Sequence, residues 1–538
     1  MVAARAKRTV LPGNLFAAKL TTAEFVGIQQ PWFAMQHWEL SNPNAGSGTY
    51  LLSGWFFLRL IGLIYLTAFV SLGVQIKGLV GSKGILPARD FLLANQSWGS
   101  ARFLQIPTLC WGNASDGFLQ FLCWGGATLS LLLVVGIAPI PLLILLWIFY
   151  LSLFNVCRVF LSYQWDILLL EAGFLAVFIA PIELLPKFPP AAAPSRIILW
   201  LLWWLTFRLM FSSGFAKWRS RDRTWRNLTA LRYHYETQPL PSWTAWYMHQ
   251  LPGWFHKLSV LVMFAIELVA PLFVFTPPPF SSIAGAAFVL LMLLIMATGN
   301  YCFFNLLAIA LSVLLFDDAF WLTLCKRFSP NAQFQFALGG SVSSGWPLWL
   351  TVPVALVVAL LSVDVIGRLV RFMTQWPKPF ERLIEWLEPF HLVNGYGLFS
   401  VMTTERPEII VEGSHDGVAW QAYEFKWKPD EVRRRPRFVA PHQPRLDWQM
   451  WFAALSYYRG VPWFSHFLLR LLRGSPEVLA LMRKNPFADK PPRFIRAVLY
   501  DYRFTDFTAG RATGAWWQRE RRGLYSPVVS SRDGVAGG

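Results

Sequence analysis

Charged residues are scarce in this chain, 14% of its 538 residues, where a water-soluble protein carries roughly a quarter. Apolar residues take their place, 55% of the total, with 28 Trp and 45 Phe among them. That balance excludes an ordinary soluble fold and implies an integral membrane protein. Acidic residues are the scarcer sign, 30 against 48 Lys and Arg, for a formal charge of +18. In a soluble protein such an excess points to nucleic acid. Here the basic residues are dispersed and form no nucleic-acid motif, so they read as loops beside lipid headgroups and no nucleic-acid partner is expected. Cysteine is also sparse. Cys110, Cys123, Cys157, Cys302 and Cys325 form no C-x-x-C pair, so neither a disulfide framework nor a zinc site is indicated, although one disulfide in a non-cytosolic loop stays open. Before Gly54 there is no short apolar core followed by a small-residue cleavage site, so the first span is expected to direct insertion. No internal repeat marks an inverted-repeat transporter.

Spanning the hydrocarbon core takes about 20 apolar residues. Runs of that kind lie near 54–75, 117–136, 140–161, 166–186, 196–215, 257–276, 281–298, 301–320 and 348–370. Thr298, Gly299 and Asn300 leave almost no loop between two of them, so eight or nine spans are expected, with a broken or re-entrant segment there. The segment ILPARDFLLANQSWGSARFLQIPTLC, where Phe91, Leu92 and Leu93 stand among polar residues, reads either as a short interfacial amphipathic helix or as a surface helix. From about 388 the composition turns water-compatible. FSVMTT, EIIVEGS and AWQAYEFKW read as strands, with the Asp-Gly of SHDG as a hairpin signal. QPRLDWQMWFAALSYYR and PWFSHFLLRLLRG read as amphipathic helices and PRFIRAVLYDYRFTD as a closing strand. The expected fold is therefore an α-helical polytopic membrane domain over 51–375, preceded by a non-membrane segment (1–50). A soluble α+β domain with a small sandwich-like sheet follows over 388–515, and 516–538 is expected to be a disordered tail. Loops 77–116 and 216–256 and the tail after 370 hold most of the basic residues and fall on one side if there are nine spans. The positive-inside rule calls that side cytoplasmic.

Ionisable and amide side chains at membrane depth are the first candidates for function: Asp166, Glu171, Arg208, Asn300 and Asn305. Asp166 and Glu171 are five residues apart, about 140° around a helix, so they do not form an acid–base dyad. The alternative is a structural ion pair between Arg208 and one of them. Lys217 follows the small residues Ser212, Ser213 and Gly214. Such a lysine snorkels to the interface, or, if desolvated, acts as a base. The polar stretch YHYETQPLP gathers Tyr233, His234, Tyr235, Glu236, Thr237, Gln238 and Pro239. Its prolines predict a stiff, extended polar edge, and its histidine has no metal-ligand spacing to His249 or His256. In VAPHQPRLDWQMWFAAL, Asp447 reads as the cap of the following helix. His442, Gln443, Arg445 and Trp448 beside it suit a protein contact surface.

Several of these blocks closely resemble the lipase maturation factor family: QWDILLLEAGF, RLMFSSGFAKWR, TWRNLTALRYHYETQPLP, TGNYCFFNLLAI, LVNGYGLFSVMTTERPEIIVEGSHDG and APHQPRLDWQMWFAAL. The resemblance covers roughly residues 50–510. It implies a membrane folding factor that helps secreted homodimeric lipases mature, with no cofactor. The YHYETQP and HQPRLDW residues, and the soluble domain as a whole, would meet an immature secreted client. The implied location is the endoplasmic reticulum membrane, with the soluble domain in the lumen, or the plasma membrane for a bacterial source. The membrane part also resembles, over one short segment, the vitamin K-dependent gamma-carboxylase, in which a lysine at the place of Lys217 is the base. That likeness implies the alternative of a membrane enzyme.

Overall fold

The computed structural model describes residues 48–186, 188, 193–328, 346–370 and 376–530. The segment before 48 and the ending 531–538 lie outside the described residues. Among the described residues, seven helices are long and apolar enough to cross a membrane, and a pair bent by 102° makes up to eight. We label the helices used below α1 (Leu51–Gly73), α2 (Asp116–Val135), α3 (Pro139–Cys157), α4 (Gln164–Ile179) and α5 (Arg196–Arg219). Next come α6 (Leu231–Thr237), α7 (Gly253–Phe264), α8 (Phe280–Thr298), and the bent pair α9 (Phe304–Val313) and α10 (Asp318–Phe328). α11 (Leu348–Val370) closes the helical bundle. The chain is a multi-pass membrane protein.

α4 is shorter than the run 166–186 suggested. Its 16 residues span about 24 Å, less than a typical hydrocarbon core, and it is buried on nearly every side. A helix that is apolar all round sits in the middle of a bundle. Chain contacts show that it nevertheless passes from one face of the bundle to the other. On one face, Ser475 bonds to the carbonyl of Lys83, Gln250 to that of Thr505 and Asn300 to that of Arg437. Loops 77–116 and 216–256 and the 299–301 turn therefore all meet the C-terminal domain. On the other face, Ala138 bonds to Leu184, Trp346 to Ala180, and the Asp318 carboxylate accepts the N–H groups of Leu51 and Leu52 at the start of α1. An even number of passes must separate loop 77–116 from loop 216–256, so α4 counts as one. The three basic segments thus share one face, the one that carries the soluble domain.

That domain is α+β. β1 (Arg406–Ser414), β2 (Gln421–Ala422), β5 (Phe494–Phe504) and β6 (Trp517–Ser530) form an antiparallel sheet in the order β2-β1-β5-β6. β3 (Glu424–Phe425) and β4 (Met482–Lys484) form a separate ribbon. Helices α12 (Arg445–Ala454) and α13 (Pro462–Leu472) pack on the sheet. The β1–β2 turn follows the Asp-Gly signal. Gly417 has φ +80°, and Asp416 accepts from the N–H groups of Val418 and Ala419, which hold its carboxyl down to about 2.

Two expectations change. FSVMTT is not a strand: Phe399 has φ +55°, its carbonyl takes the indole N–H of Trp225, and Met402 packs beside Trp225 and Val260. Residues 516–538 are not all tail, because 517–530 form β6, paired with β5 over its length. The interfacial segment supplies short helices, among them Ala88–Ala94 and Arg102–Gln105; the first rests on α3, with the Arg158 guanidinium 4.7 Å from the Phe91 ring.

Candidate functional site

The candidate residues fall into two clusters. One is the junction where the C-terminal domain meets the bundle, and the other is a cavity between α5, α7, α8 and α9.

The junction is built on Asp166 at the start of α4. Arg445 donates to both of its oxygens, at 2.6 and 2.8 Å, and the Tyr150 hydroxyl adds a third bond at 2.5 Å. Arg445 also reaches the carbonyl of Phe160, and its backbone N–H bonds to Gln75 at the end of α1. Ser71 on α1 pairs with His442 Nδ1 at 2.9 Å and accepts the Gln443 N–H at 2.8 Å. Burial, with the charges of Arg445 and Lys426 behind it, pushes His442 down to about 4, so it is neutral at pH 7. Trp448 is wedged against Trp165, Tyr163 and Tyr301. Asp447 is not the cap of its helix. It lies inside the first turn of α12, where it accepts the N–H groups of Trp427 and Lys428, both at 2.9 Å; burial raises it to about 6. The other α4 carboxylate, Glu171, forms its own ion pair with Arg208, and also accepts from the Asn394 N–H and amide and from the Tyr396 hydroxyl.

YHYETQPLP completes the junction. Tyr233 through Thr237 are helical, in α6; Gln238 leaves the helix at φ −59°, ψ 151°, the chain bends over 238–240, and Pro241 bridges Gly299. The end that Pro239 and Pro241 were expected to hold extended thus follows a helix and turns through bends before it reaches Gly299. Arg406, at the start of β1 and only 2% exposed, donates to the carbonyls of Glu236, Gln238 and Pro239. A guanidinium at this place satisfies carbonyls that a helix end leaves free and complements its dipole. The Glu236 carboxylate accepts the N–H of Phe504 at 3.0 Å, and the Trp451 indole N–H donates to the carbonyl of Thr237. Asn300 uses its whole amide: it donates to Leu240 and Arg437 and accepts from Val439 and Ala440. Thr237, Gln238, Pro239, Gln443, Arg445, Asp447 and Trp448 are buried, so the surface they were expected to offer a client is spent inside the protein. Tyr233, His234, Glu236 and His442 keep partial exposure.

The cavity holds Lys217. Rather than snorkelling to the interface, this residue is 6% exposed, with Nζ 2.7 Å from each oxygen of Glu267. Glu267 lies in a π-helical turn, Ala265–Val269, which continues α7. Such turns arise where a backbone is rearranged for a local purpose. Gly214 makes the pair possible: a Cβ there would come within 2.9 Å of Glu267 Cβ. His234 Nε2 lies 3.0 Å from the Tyr301 hydroxyl, which itself bonds to Gln238 Oε1. The Gln238 amide nitrogen is committed to the carbonyls of Tyr235 and Thr298, so the Tyr301 hydroxyl donates to Oε1 and His234 carries its proton on Nε2. Burial and the nearby Lys217 charge push His234 down to about 4. Asn305 borders the cavity, and neither of its amide atoms finds a hydrogen-bond partner among the described residues. Because both Glu267 oxygens hold Lys217, a base role would require that pair to open first.

Sequence reasoning missed Arg406, Tyr301, Gln75 and Ser71. Arg406 and Gln75 carry no local signal, since each acts on a backbone more than 160 residues away. The pairing of Glu267 with Lys217 was hidden by the 50 residues that separate them.

Comparison with known proteins agrees with this architecture. A model of the lipase maturation factor transmembrane domain matches residues 52–323, and one of the lipase maturation factor C-terminal domain matches 392–527. The chain is 37% identical to lipase maturation factor 2 of Gallus gallus, covering 89% of this chain and 81% of that protein. It is 36% identical to lipase maturation factor 1 of Homo sapiens, with coverage of 90% and 89%, and 33% identical to that of Mus musculus, with coverage of 97% and 94%. No solved structure matches. With both parts matched in order and relatives aligned over most of their length, the chain belongs to the lipase maturation factor family.

Proposed function

We propose that this protein is a membrane-embedded maturation factor that helps immature secreted proteins, homodimeric lipases among them, fold and assemble. The observation that carries the reading is the near full-length match to lipase maturation factors of both kinds. The fold supports it by welding a soluble α+β domain onto the bundle, so that a client held by that domain is held at the membrane surface. Tyr233, His234, Glu236 and His442 are the motif residues with surface left to offer such a client. We place the protein in the endoplasmic reticulum membrane, with this domain in the lumen where secreted proteins fold.

The direct test is co-expression with a secreted homodimeric lipase in cells that lack their own maturation factor. Active secreted lipase should rise, and lipase should co-purify with the full chain in mild detergent; an unchanged yield of active enzyme would refute the client reading. Deleting residues 388–538 is a poor substitute, because it strips Arg445 from Asp166, and Asn394 and Tyr396 from Glu171. A glycosylation sequon engineered at the exposed turn around Val418 tests sidedness: a glycan is expected there if the domain is lumenal.

A further inference from the structure

The cavity beside Lys217 combines open volume with one buried amide, that of Asn305, which meets no hydrogen-bond partner among the described residues. It encloses about 350 Å³ and is walled by apolar side chains such as Leu209, Met263, Ile266, Met292, Ile295 and Phe304. That volume lies in the range of small-molecule sites. At about 30 Å³ per water-sized group it holds roughly a dozen methylene-sized groups, enough for a small polar head and the first part of one chain, whose remainder would lie out among the lipid.

Its mouth faces lipid. Leu258, Val262 and Leu294 line the cavity and are also 50%, 47% and 54% exposed on the outside of the bundle. They sit on α7 and α8, which meet chiefly through the broken continuation of α7 and hardly touch along Gly253–Phe264. Outward apolar side chains on two spanning helices face acyl chains, so a molecule entering between them comes from the bilayer.

The polar end selects the head. Lys217 and Glu267 are paired and cancel in charge, while His234 is neutral. An anionic head would sit against the Glu267 carboxylate and a cationic one against the Lys217 ammonium, each without a free counter-charge at membrane depth. Asn305, 1% exposed, has a donor and an acceptor that no protein group meets. Buried groups of this kind are rare, and a ligand that supplies both partners relieves their cost.

We propose that this cavity is a binding site for a neutral single-chain lipid whose head carries hydroxyl and carbonyl oxygens, a monoacylglycerol or its like. The chain lies between α7 and α8, and the head meets Asn305 and the Lys217–Glu267 pair. This site does not depend on the client reading, and its test needs no client.

The experiment uses the full chain in phosphatidylcholine nanodiscs and a photoactivatable monooleoylglycerol, with labelled peptides identified by mass spectrometry. Labelling should be saturable, should map to 253–264 and 280–298, and should be displaced by unlabelled monooleoylglycerol but not by oleate. Asn305→Leu should weaken it by about tenfold, the scale of one lost buried polar interaction, with no fall in melting temperature. Met263→Trp, which puts an indole into the cavity and narrows it, should cut it sharply. Labelling that does not saturate, or that persists undiminished in Met263→Trp, would overturn the site. Displacement by oleate as readily as by monooleoylglycerol would overturn the neutral head.

Discussion

Asn300 and Asn305 lie on either side of one short turn, both buried, and they could hardly be used more differently. Asn300 makes four hydrogen bonds that tie the α8–α9 turn to loop 216–256 and to the C-terminal domain. Asn305 makes none and borders a cavity. A similar contrast holds between the charged centres of the junction and the cavity, while the Gln443 amide at the junction is as unmet as that of Asn305. At the junction, Asp166, Glu171, Gln238 and Arg406 are met by protein on several sides, whereas the cavity keeps polar capacity in reserve beneath apolar walls. A saturated polar network specifies how parts fit, and an unsaturated one is suited to something that arrives later.

The comparison can be broken first at its most heavily bonded point. Arg445→Met leaves Asp166 buried without its counter-charge and should cost about 3–5 kcal/mol, read as loss of monodisperse protein in detergent. Adding Asp166→Asn should recover much of the yield, because the uncompensated charge is then gone. Asn300→Leu orphans two carbonyls and two N–H groups and should cost about 3 kcal/mol, measured as a lower melting temperature.

Acidification gives a smaller effect with a definite sign. His234 and His442 are held at about 4 in the folded protein, against about 6.5 in an unfolded chain. Between those values only the unfolded chain takes up protons, so the stability they contribute is complete above about 6.5 and is lost as the pH falls toward 4. Asp447, raised to about 6, works the other way and regains part of that loss below about pH 6. The detergent melting temperature should therefore fall most steeply just below pH 6.5, and His442→Gln should flatten the fall.

The smallest effects are expected in the cavity. Asn305→Leu removes an unmet amide and should leave stability within about 1 kcal/mol of the original, or raise it. Lys217→Arg keeps a cation beside Glu267 and should leave client maturation intact. Lost activity with a normal melting temperature in Lys217→Arg would instead favour Lys217 as a base.

Much of this protein is legible along the chain. The apolar runs locate the passes, Asp-Gly marks the β1–β2 turn, and QPRLDWQMWFAAL marks α12. β6 was hidden because WQRERRGLY has too many charges to show strand alternation; it is an outer strand of its sheet, where charges guard against edge-to-edge pairing. α4 looked longer than it is, because the apolar residues after Ile179 lead out of the bundle rather than continue the helix.

Composition and periodicity determined that this chain enters a membrane, roughly where it crosses and where a soluble domain begins, since burial in lipid or in a core acts on each segment through its own side chains. The tertiary structure alone decided which charge meets which. Asp166 and Arg445 are 279 residues apart, and so far along the chain spacing carries no information. It also decided that YHYETQPLP is an internal clasp rather than an open edge, because the guanidinium that holds its carbonyls comes from β1. That Lys217 is buried rather than snorkelling follows likewise from Glu267, a carboxylate that only the folded bundle brings to it.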